Sequence, residues 1–378
     1  MKSGPAARRT RPAPPGDVFE LFVLAAGSAS ESALILASFR NARVLEAFPR
    51  RGGEAGARWQ RIIRLHERTL RALDGRGGEL PAGKELRALG RDLFCALLPG
   101  DVRRLYDVAR SLQSDRVLDV VFTSMIDWVA DKPWELAYDP GRREFLATAS
   151  ANFVRNVFTA VPADVTRRRR GRLRILVASA RPRGASPVSA REETADLRRA
   201  FQVLTDGELA DVEVLERTTP GRLQRRLADG GVDVLHFAGH GDFDEETREG
   251  SVLLEDDRGR PRPVGFDLLR QIVVRRGVRL VFLNACETGR GGRVDWNRGV
   301  APALVAAGVP AVVANQYAVV DGAATAFARD FYAQLARGRS LGDAAREARV
   351  AVGREVGTGT IDWAVPVVFA RDPRETLR

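Results

Sequence analysis

The stretch LVFLNACETG, residues 280–289, is an apolar run that stops on one of the two cysteines in the chain. Four large apolar residues in succession, with no polar alternation, are the pattern of a strand buried on both faces. Asn284-Ala285-Cys286-Glu287-Thr288-Gly289 then bring turn-forming types, so Cys286 falls where the strand leaves the core.

The same rhythm extends on either side. LRILVASA (173–180), VEVLER (212–217), VDVLHFAGH (232–240), RLVFLNAC (279–286) and AVVANQYAV (311–319) read as strands. EETADLRRAFQVL, GRLQRRLAD, FDLLRQIVVRR, APALVAAG and TAFARDFYAQLARG read as the helices around them. Continuous apolar strands alternating with helices predict an α/β fold whose mainly parallel sheet is covered on both faces. A polar, glycine-containing loop is expected after VDVLHFAGH. In such sheets the chemistry gathers at the carboxyl ends of the strands.

Two of these strand ends carry reactive groups, His240 beside Gly241 and Cys286. A thiol becomes a strong nucleophile as the thiolate, and a neighbouring imidazole can take its proton. Acyl transfer also needs donors for the developing oxyanion, and the backbone N–H groups of Gly241 and Cys286 are the candidates. His236, inside the same strand, is read as a packed or supporting residue, although by position it could itself be the base or a metal ligand. His66 is read as a solvated residue of a charged helix, and Cys95 as a small hydrophobe on a helical apolar stripe. Two histidines and a cysteine could ligate zinc, but no CxxC, HExxH or carboxylate spacing accompanies them. GxxxxGK[ST] and GxSxG are absent, which counts against a nucleoside triphosphatase and an α/β-hydrolase.

The chain has 378 residues, 44% of them hydrophobic and 29% charged, the usage of a folded globular protein. Its length suggests two domains or one large core in two halves. Two cysteines suit a reducing compartment, with the cytoplasm as the default. The formal charge of +11 is spread over nearly every segment, apart from the start of the chain and the run TRRRRGRLR at 166–174. Dispersed arginine argues against nucleic acid as the partner, since binding needs a clustered basic face. No apolar segment follows the opening basic residues, so a signal peptide is not expected. VAPALVAAGVPAVVANQYAVV (300–320) is interrupted by Pro302, Gly308, Pro310, Asn315 and Gln316. Its apolar part falls short of the roughly 18–20 residues a bilayer requires, so no membrane insertion is expected.

Residues 1–16 are read as a flexible basic tail. In the following half, VFELFVLAAG and SALILASF suggest a hairpin, ARWQRIIRLHERTLRALDG a helix, ELRALGRDLFCALLPGDVRRLYDVARSL further helical repeats, and VLDVVFTSM a strand. A boundary is expected near residue 166, dividing 17–165 from 166–378.

Taken together, KPWELAYDP (132–140), RILVASARP (174–182), VDVLHFAGHGDF (232–243), LVFLNACETG, ALVAAGVPAVVANQYAVVD (303–321), DFYAQLARG (330–338) and DWAVPVVF (362–369) resemble the CHAT-domain peptidases. These are caspase-like cysteine proteases related to separases and gingipains and often joined to tetratricopeptide repeats. The caspase signature itself is met in outline, with NACETG in place of its letters and the histidine upstream. The resemblance implies a caspase-like α/β/α sandwich at 166–378, preceded by a degenerate, catalytically silent companion half at 17–165. It further implies a catalytic dyad of His240 and Cys286 that cleaves peptide bonds through a thioester, with no metal or organic cofactor. Defence or regulated-death circuits in bacteria are the usual family setting. Tyr317 stands where the family usually has tryptophan, and no repeat array is evident, which suggests a regulatory partner on another protein.

In caspase-like folds the ends of the first strand and of the strand after the nucleophile line the pocket for the residue before the scissile bond. Here those ends carry Arg181 and Arg183 on one side and Tyr317 and Asp321 on the other. An arginine would favour an acidic side chain and Asp321 a basic one. The bland alternatives are a flexible Arg-Pro-Arg loop and a helix-capping Asp321. Glu287 and Asp242 flank the dyad and could touch substrate. The functional expectation is a cysteine endopeptidase acting on one or a few protein substrates. The alternative is a catalytically inactive caspase-like scaffold for protein interaction.

Overall fold

The computed structural model describes residues 17–26, 32–49, 52–73, 79–162, 171–184, 201–244, 249–286, 299–317 and 321–378, without the side chains of 242–244, 249, 285, 286 and 321. In the first half the strands are β1 (Val18–Ala25), β2 (Ala33–Phe39), β3 (Ala42–Ala47), β4 (Leu118–Ser124), β5 (Tyr138–Asp139), β6 (Glu144–Phe145) and β7 (Ala151–Asn156). The second half supplies β8 (Leu173–Ser179), β9 (Ala210–Leu215), β10 (Val234–Asp244), β11 (Glu249–Glu255), β12 (Pro261–Gly265), β13 (Leu280–Cys286), β14 (Ala311–Asn315) and β15 (Pro366–Ala370). The helices that matter here are α1 (Gly53–Leu73), α2 (Gly83–Leu97), α3 (Gly100–Leu112), α4 (Asp127–Ala130), α5 (Pro220–Ala228), α6 (Phe266–Val273), α7 (Val300–Ala306), α8 (Asp321–Ala336) and α9 (Leu341–Val356).

Local sequence accounts for many of these boundaries. Trp59, Ile62, His66 and Thr69 recur at three- and four-residue steps and form the buried stripe of α1. The run at 85–112, read as helical repeats, is two helices, because Pro99 cannot donate a backbone hydrogen bond and stands at the start of α3. Thr219 caps α5 by accepting from the Arg222 amide, and Pro220 follows at the first helical position. Ser340 caps α9 in the same way through the Asp343 amide.

Thirteen of the described strands build one sheet, in the order β12-β11-β10-β13-β14-β15-β7-β4-β1-β2-β3, with β8 beside the inner part of β10 and β9 beside β8, while β5 and β6 pair only with each other. β9, β8, β10, β13 and β14 run parallel to one another. β15 turns antiparallel to β14 and parallel to β7, and β7, β4 and β1 continue in that sense. Two parallel blocks of opposite direction therefore meet at the seam between β14 and β15. Successive residues of β13 point to different layers. Phe282 packs in the core that includes Phe327 and Tyr332 of α8, while Val281 and Leu283 pack with Leu223, Leu269 and Leu304 of α5, α6 and α7. The result is the expected mixed α/β architecture, with a mainly parallel sheet between helical layers.

Three expectations change. The segment after β10, read as a loop, contributes the antiparallel strands β11 and β12. The short runs at 151–156 and 366–370, unassigned from the sequence, are β7 and β15, and their pairing at Arg155 and Phe369 joins the two halves. β3 likewise extends the hairpin of β1 and β2 into a three-stranded meander. Short runs of this kind carry too little periodicity to separate strand from loop. The expected boundary at 166 and the tail at 1–16 lie outside the described residues.

A buried charge cluster pins the seam. Glu135, in the turn of 3-10 helix Trp134–Leu136, is fully buried and accepts from Arg155 Nε at 2.9 Å. Arg155 also donates to the carbonyls of Ala130 and Lys132 and, through Nη2, to Gln316 Oε1 at 3.2 Å. Gln316 Nε2 donates to Glu135 Oε2 and to the Ala364 carbonyl. Arg349 of α9, fully buried, donates to the carbonyls of Phe153 in β7 and Pro366 in β15. Removing one partner of such a pair strands the other charge in the interior. Glu135→Ala or Arg155→Ala is expected to lower the unfolding free energy by about 3–5 kcal/mol. Chemical denaturation checks this, with Asp101→Ala at the exposed Arg104–Asp101 pair as a control that moves by less than about 1 kcal/mol.

Candidate active site

β10 and β13 are adjacent and parallel, with Val234 opposite Leu280 and His240 opposite Cys286. Neighbouring strands lie roughly 4.8 Å apart, so the two sequence-predicted residues occupy abutting positions at the carboxyl edge. Cys286 is the last residue of β13. His240 is held more firmly, because β10 continues past the point where β8 stops and takes β11 as its new neighbour, pairing His240 with Leu253. The imidazole is 5% exposed, and its Nδ1 is enclosed with no hydrogen-bond partner among the described residues. Gly241 follows opposite Val252 and is half-buried. Gly239 precedes it under steric constraint, since a Cβ there would stand 2.9 Å from the Phe237 ring and 3.1 Å from the Ala180 carbonyl.

His236 separates cleanly from His240. It is fully buried, its Nδ1 lies 2.8 Å from the Tyr332 hydroxyl, and its ring packs on Phe282 at 4.8 Å between centroids. Burial pushes its pKa down to about 3 and the Tyr332 hydroxyl well above its ordinary value. This is the packed residue the sequence suggested, neutral at ordinary pH. Among the described residues no group of three His, Cys, Asp or Glu side chains is disposed to hold a metal ion.

The next strand completes the edge. Leu283 pairs with Ala314, β14 ends at Asn315, and Tyr317 follows two residues later. Asn315 Nδ2 donates to Asn284 Oδ1 at 3.3 Å, with both side chains buried. Tyr317 is 8% exposed, and its hydroxyl shares a hydrogen bond of 3.1 Å with His66 Nδ1. His66 is therefore not the solvated helix residue expected from its charged surroundings. It belongs to the buried stripe of α1 and reaches across to the candidate site. Its place at the seven-residue step from Trp59 was the available signal.

On the opposite side the chain leaving β8 is tied down, in place of the flexible loop considered for it. The Arg181 amide donates to Glu255 Oε1 at 2.9 Å and the Arg183 amide to the Gly259 carbonyl at 2.8 Å. Glu255, 3% exposed and missed in the sequence, ends β11 and also faces Arg217 at 3.6 Å. A methyl group built on Gly259 would stand 3.6 Å from Arg217 Nη2, 3.7 Å from Arg183 Nε and 3.7 Å from Glu255 Oε2. Arg181, Arg183 and Arg217 are exposed, so this rim is basic above a buried carboxylate. Asp321 is the first residue of α8, and its side chain, like that of Asp242, is not among those described; Glu287 lies outside the described residues.

The family model described as CHAT domain matches residues 87–371. The chain belongs to the CHAT-domain family. Its CHAT-domain segment begins within α2 and ends just after β15, so it contains His240, Cys286, Tyr317 and the seam, and leaves β1–β3 and α1 outside. No curated protein matches the chain. Among solved structures it is similar to the separase of Saccharomyces cerevisiae in complex with securin, with a TM-score of 0.46 and 11% identity over 94% of this chain and 30% of that chain. It is also similar to the complex of Porphyromonas gingivalis RgpB pro- and mature domains, with a TM-score of 0.48 and 12% identity over 83% of this chain and 76% of that one. The CHAT-domain chain thus spans about 30% of the separase chain's length. No described helix is long and apolar enough to cross a membrane.

The environment of His236 makes stability depend on pH in a defined direction. The unfolded histidine binds a proton near pH 6.5 and the folded one only near pH 3. Between these values the unfolded state holds more protons, so stability falls as pH drops, by up to about 1.4 kcal/mol per unit. His236→Phe is expected to flatten that part of the profile, as read by urea denaturation at pH 7, 6, 5 and 4.

Proposed function

We propose that the chain is a cysteine endopeptidase whose nucleophile is Cys286 and whose base is His240. The observation that carries this reading is their pairing in the parallel ladder at the carboxyl edge of the sheet. Family membership supports it independently. In the proposed reaction His240 takes the thiol proton, and the Cys286 thiolate attacks the carbonyl carbon of the scissile peptide bond. The backbone amides of Gly241 and Cys286 receive the developing oxyanion. The imidazolium returns its proton to the departing amine as the C–N bond breaks, leaving a thioester. Water, deprotonated by His240, then attacks the thioester, releasing the new carboxyl terminus and restoring the thiol. The scheme uses no metal or organic cofactor.

The substrate is proposed to be one protein or a few, recognised between the Arg181 and Arg183 rim and the side formed by Tyr317, Asp321 and Glu287. Two tethered amides hold the arginine rim, and Arg217 adds a third guanidinium. That concentration favours an acidic side chain before the scissile bond. Activation by a regulatory protein or signal, in a bacterial defence or regulated-death setting, completes the proposal.

Comparing wild type with Cys286→Ala, by sequencing new amino termini across a proteome, tests the reading. New termini that depend on Cys286 are expected, and identical fragments from both proteins under every activating condition would leave only the scaffold reading. The residue before each cut tests the rim separately. Acidic residues are expected to dominate, with Arg183→Glu cutting such sites at least about tenfold more slowly; a basic majority would assign recognition to the Asp321 side instead.

A further inference from the structure

We propose that His66 is a positioning residue for the candidate active edge, holding Tyr317 just past the end of β14 from a helix that lies outside the CHAT-domain match. The inference rests on the peptidase reading for its functional meaning, while the contact itself stands on geometry alone.

The strand end in question has two attachments to the first half of the chain. Gln316 is held by Glu135 and Arg155, inside the matched segment. Tyr317 is held by His66, which precedes that segment. Both attachments sit on the residues directly after β14, which ends at Asn315. Tyr317 and His66 are 8% and 6% exposed, and their ring centroids are 6.1 Å apart, so the contact is enclosed and competes little with water. α1 is itself well anchored. Trp59 stacks with Trp134 at 6.4 Å and meets Phe48 at 5.3 Å edge to face, which ties the helix to the turn that carries Glu135. The Gln316 and Tyr317 attachments thus converge on one aromatic cluster of the first half.

The consequence concerns substrate more than the dyad. His240 and Cys286 are placed by the β10–β13 ladder and do not need α1. Tyr317 follows the end of β14, the strand beside β13, and on the peptidase reading a bound peptide runs past it, with the hydrogen bond to His66 restraining its ring. A shift of α1 would therefore alter peptide binding first and the chemical reactivity of the thiol second, giving the first half of the chain a route by which it can tune recognition.

The test uses the full chain carrying His66→Phe, Tyr317→Phe, or both, all of which retain an aromatic ring. Alkylation of Cys286 by a peptidyl acyloxymethyl ketone gives the affinity and the maximal rate separately, and iodoacetamide gives the reactivity of the thiol without a peptide. His66→Phe is expected to weaken peptidyl-probe affinity by about tenfold, the factor for one lost buried hydrogen bond. Its melting temperature is expected to stay within about 3 °C of wild type. The double variant is expected to be no weaker than either single, because both substitutions break the same contact. Amide exchange across 311–317 should quicken in both single variants. Unchanged affinity and exchange in a folded His66→Phe protein, or additive losses in the double variant, overturn the proposal. A wild-type Cys286 that reacts with iodoacetamide and with no peptidyl probe sinks the peptidase reading instead, and the exchange rates at 311–317 then decide alone whether His66 positions Tyr317.

Discussion

β15 is the strand on which the molecule depends. β14 and β7 are both largely buried, and each would leave a row of unpaired backbone groups if the sheet ended there. Pro366–Ala370 pairs antiparallel with β14 along its whole length and meets β7 in parallel at Phe369 and Arg155, so one short strand joins both edges. It also reverses the direction of the sheet, which sets two parallel blocks head to tail. Everything said about the candidate site's second wall follows from that closure. It brings Glu135 and Arg155 against Gln316, and α1 against Tyr317.

The Glu135–Arg155–Gln316 cluster is costly to bury, and its geometry shows how the cost is met. Arg155 directs its donors to a carboxylate, a carboxamide and two backbone carbonyls, which leaves its charge well solvated by protein groups. Such a cluster tolerates little displacement, because the acceptors around Arg155 come from segments far apart in the chain and meet at one guanidinium. It specifies how the halves meet more sharply than apolar packing alone, which could slide. The continuous apolar core, running from Phe19 of β1 to Tyr332 of α8, supplies the bulk of the burial around it.

Burial likewise sorts the histidines. His236 and His240 share one strand and one face, four residues apart, yet one is a core residue and the other stands at the candidate active edge. His236 sits between Phe201, Phe282 and Tyr332, where the charged form is unfavourable. His240 lies two residues beyond Ala238, the last residue of β10 paired with β8, where β11 has taken over as the neighbour. His66 moves the other way, from an expected solvated position to an enclosed one.

Much of this was legible in the sequence: continuous apolar strands meant a parallel sheet, and strand ends carrying His240 and Cys286 meant a common edge. Hydrophobic periodicity is local, and the carboxyl end of each parallel strand is defined by chain direction alone. The short runs at 151–156 and 366–370 were not legible, because five or six residues carry too little periodicity to tell a strand from a turn or a buried loop, and 151–156 is interrupted by Asn152 and Arg155. Nor could the sequence pair Glu135 with Arg155, or His66 with Tyr317, which stand 251 residues apart. Those contacts exist only once β15 has joined the two blocks, and no local propensity encodes a hydrogen bond whose partner arrives from the other half of the chain. The sequence by itself therefore determined which residues reach the candidate active edge, and the tertiary structure alone decided what stands beside them, because strand order and buried polar pairing are settled by long-range closure of the sheet.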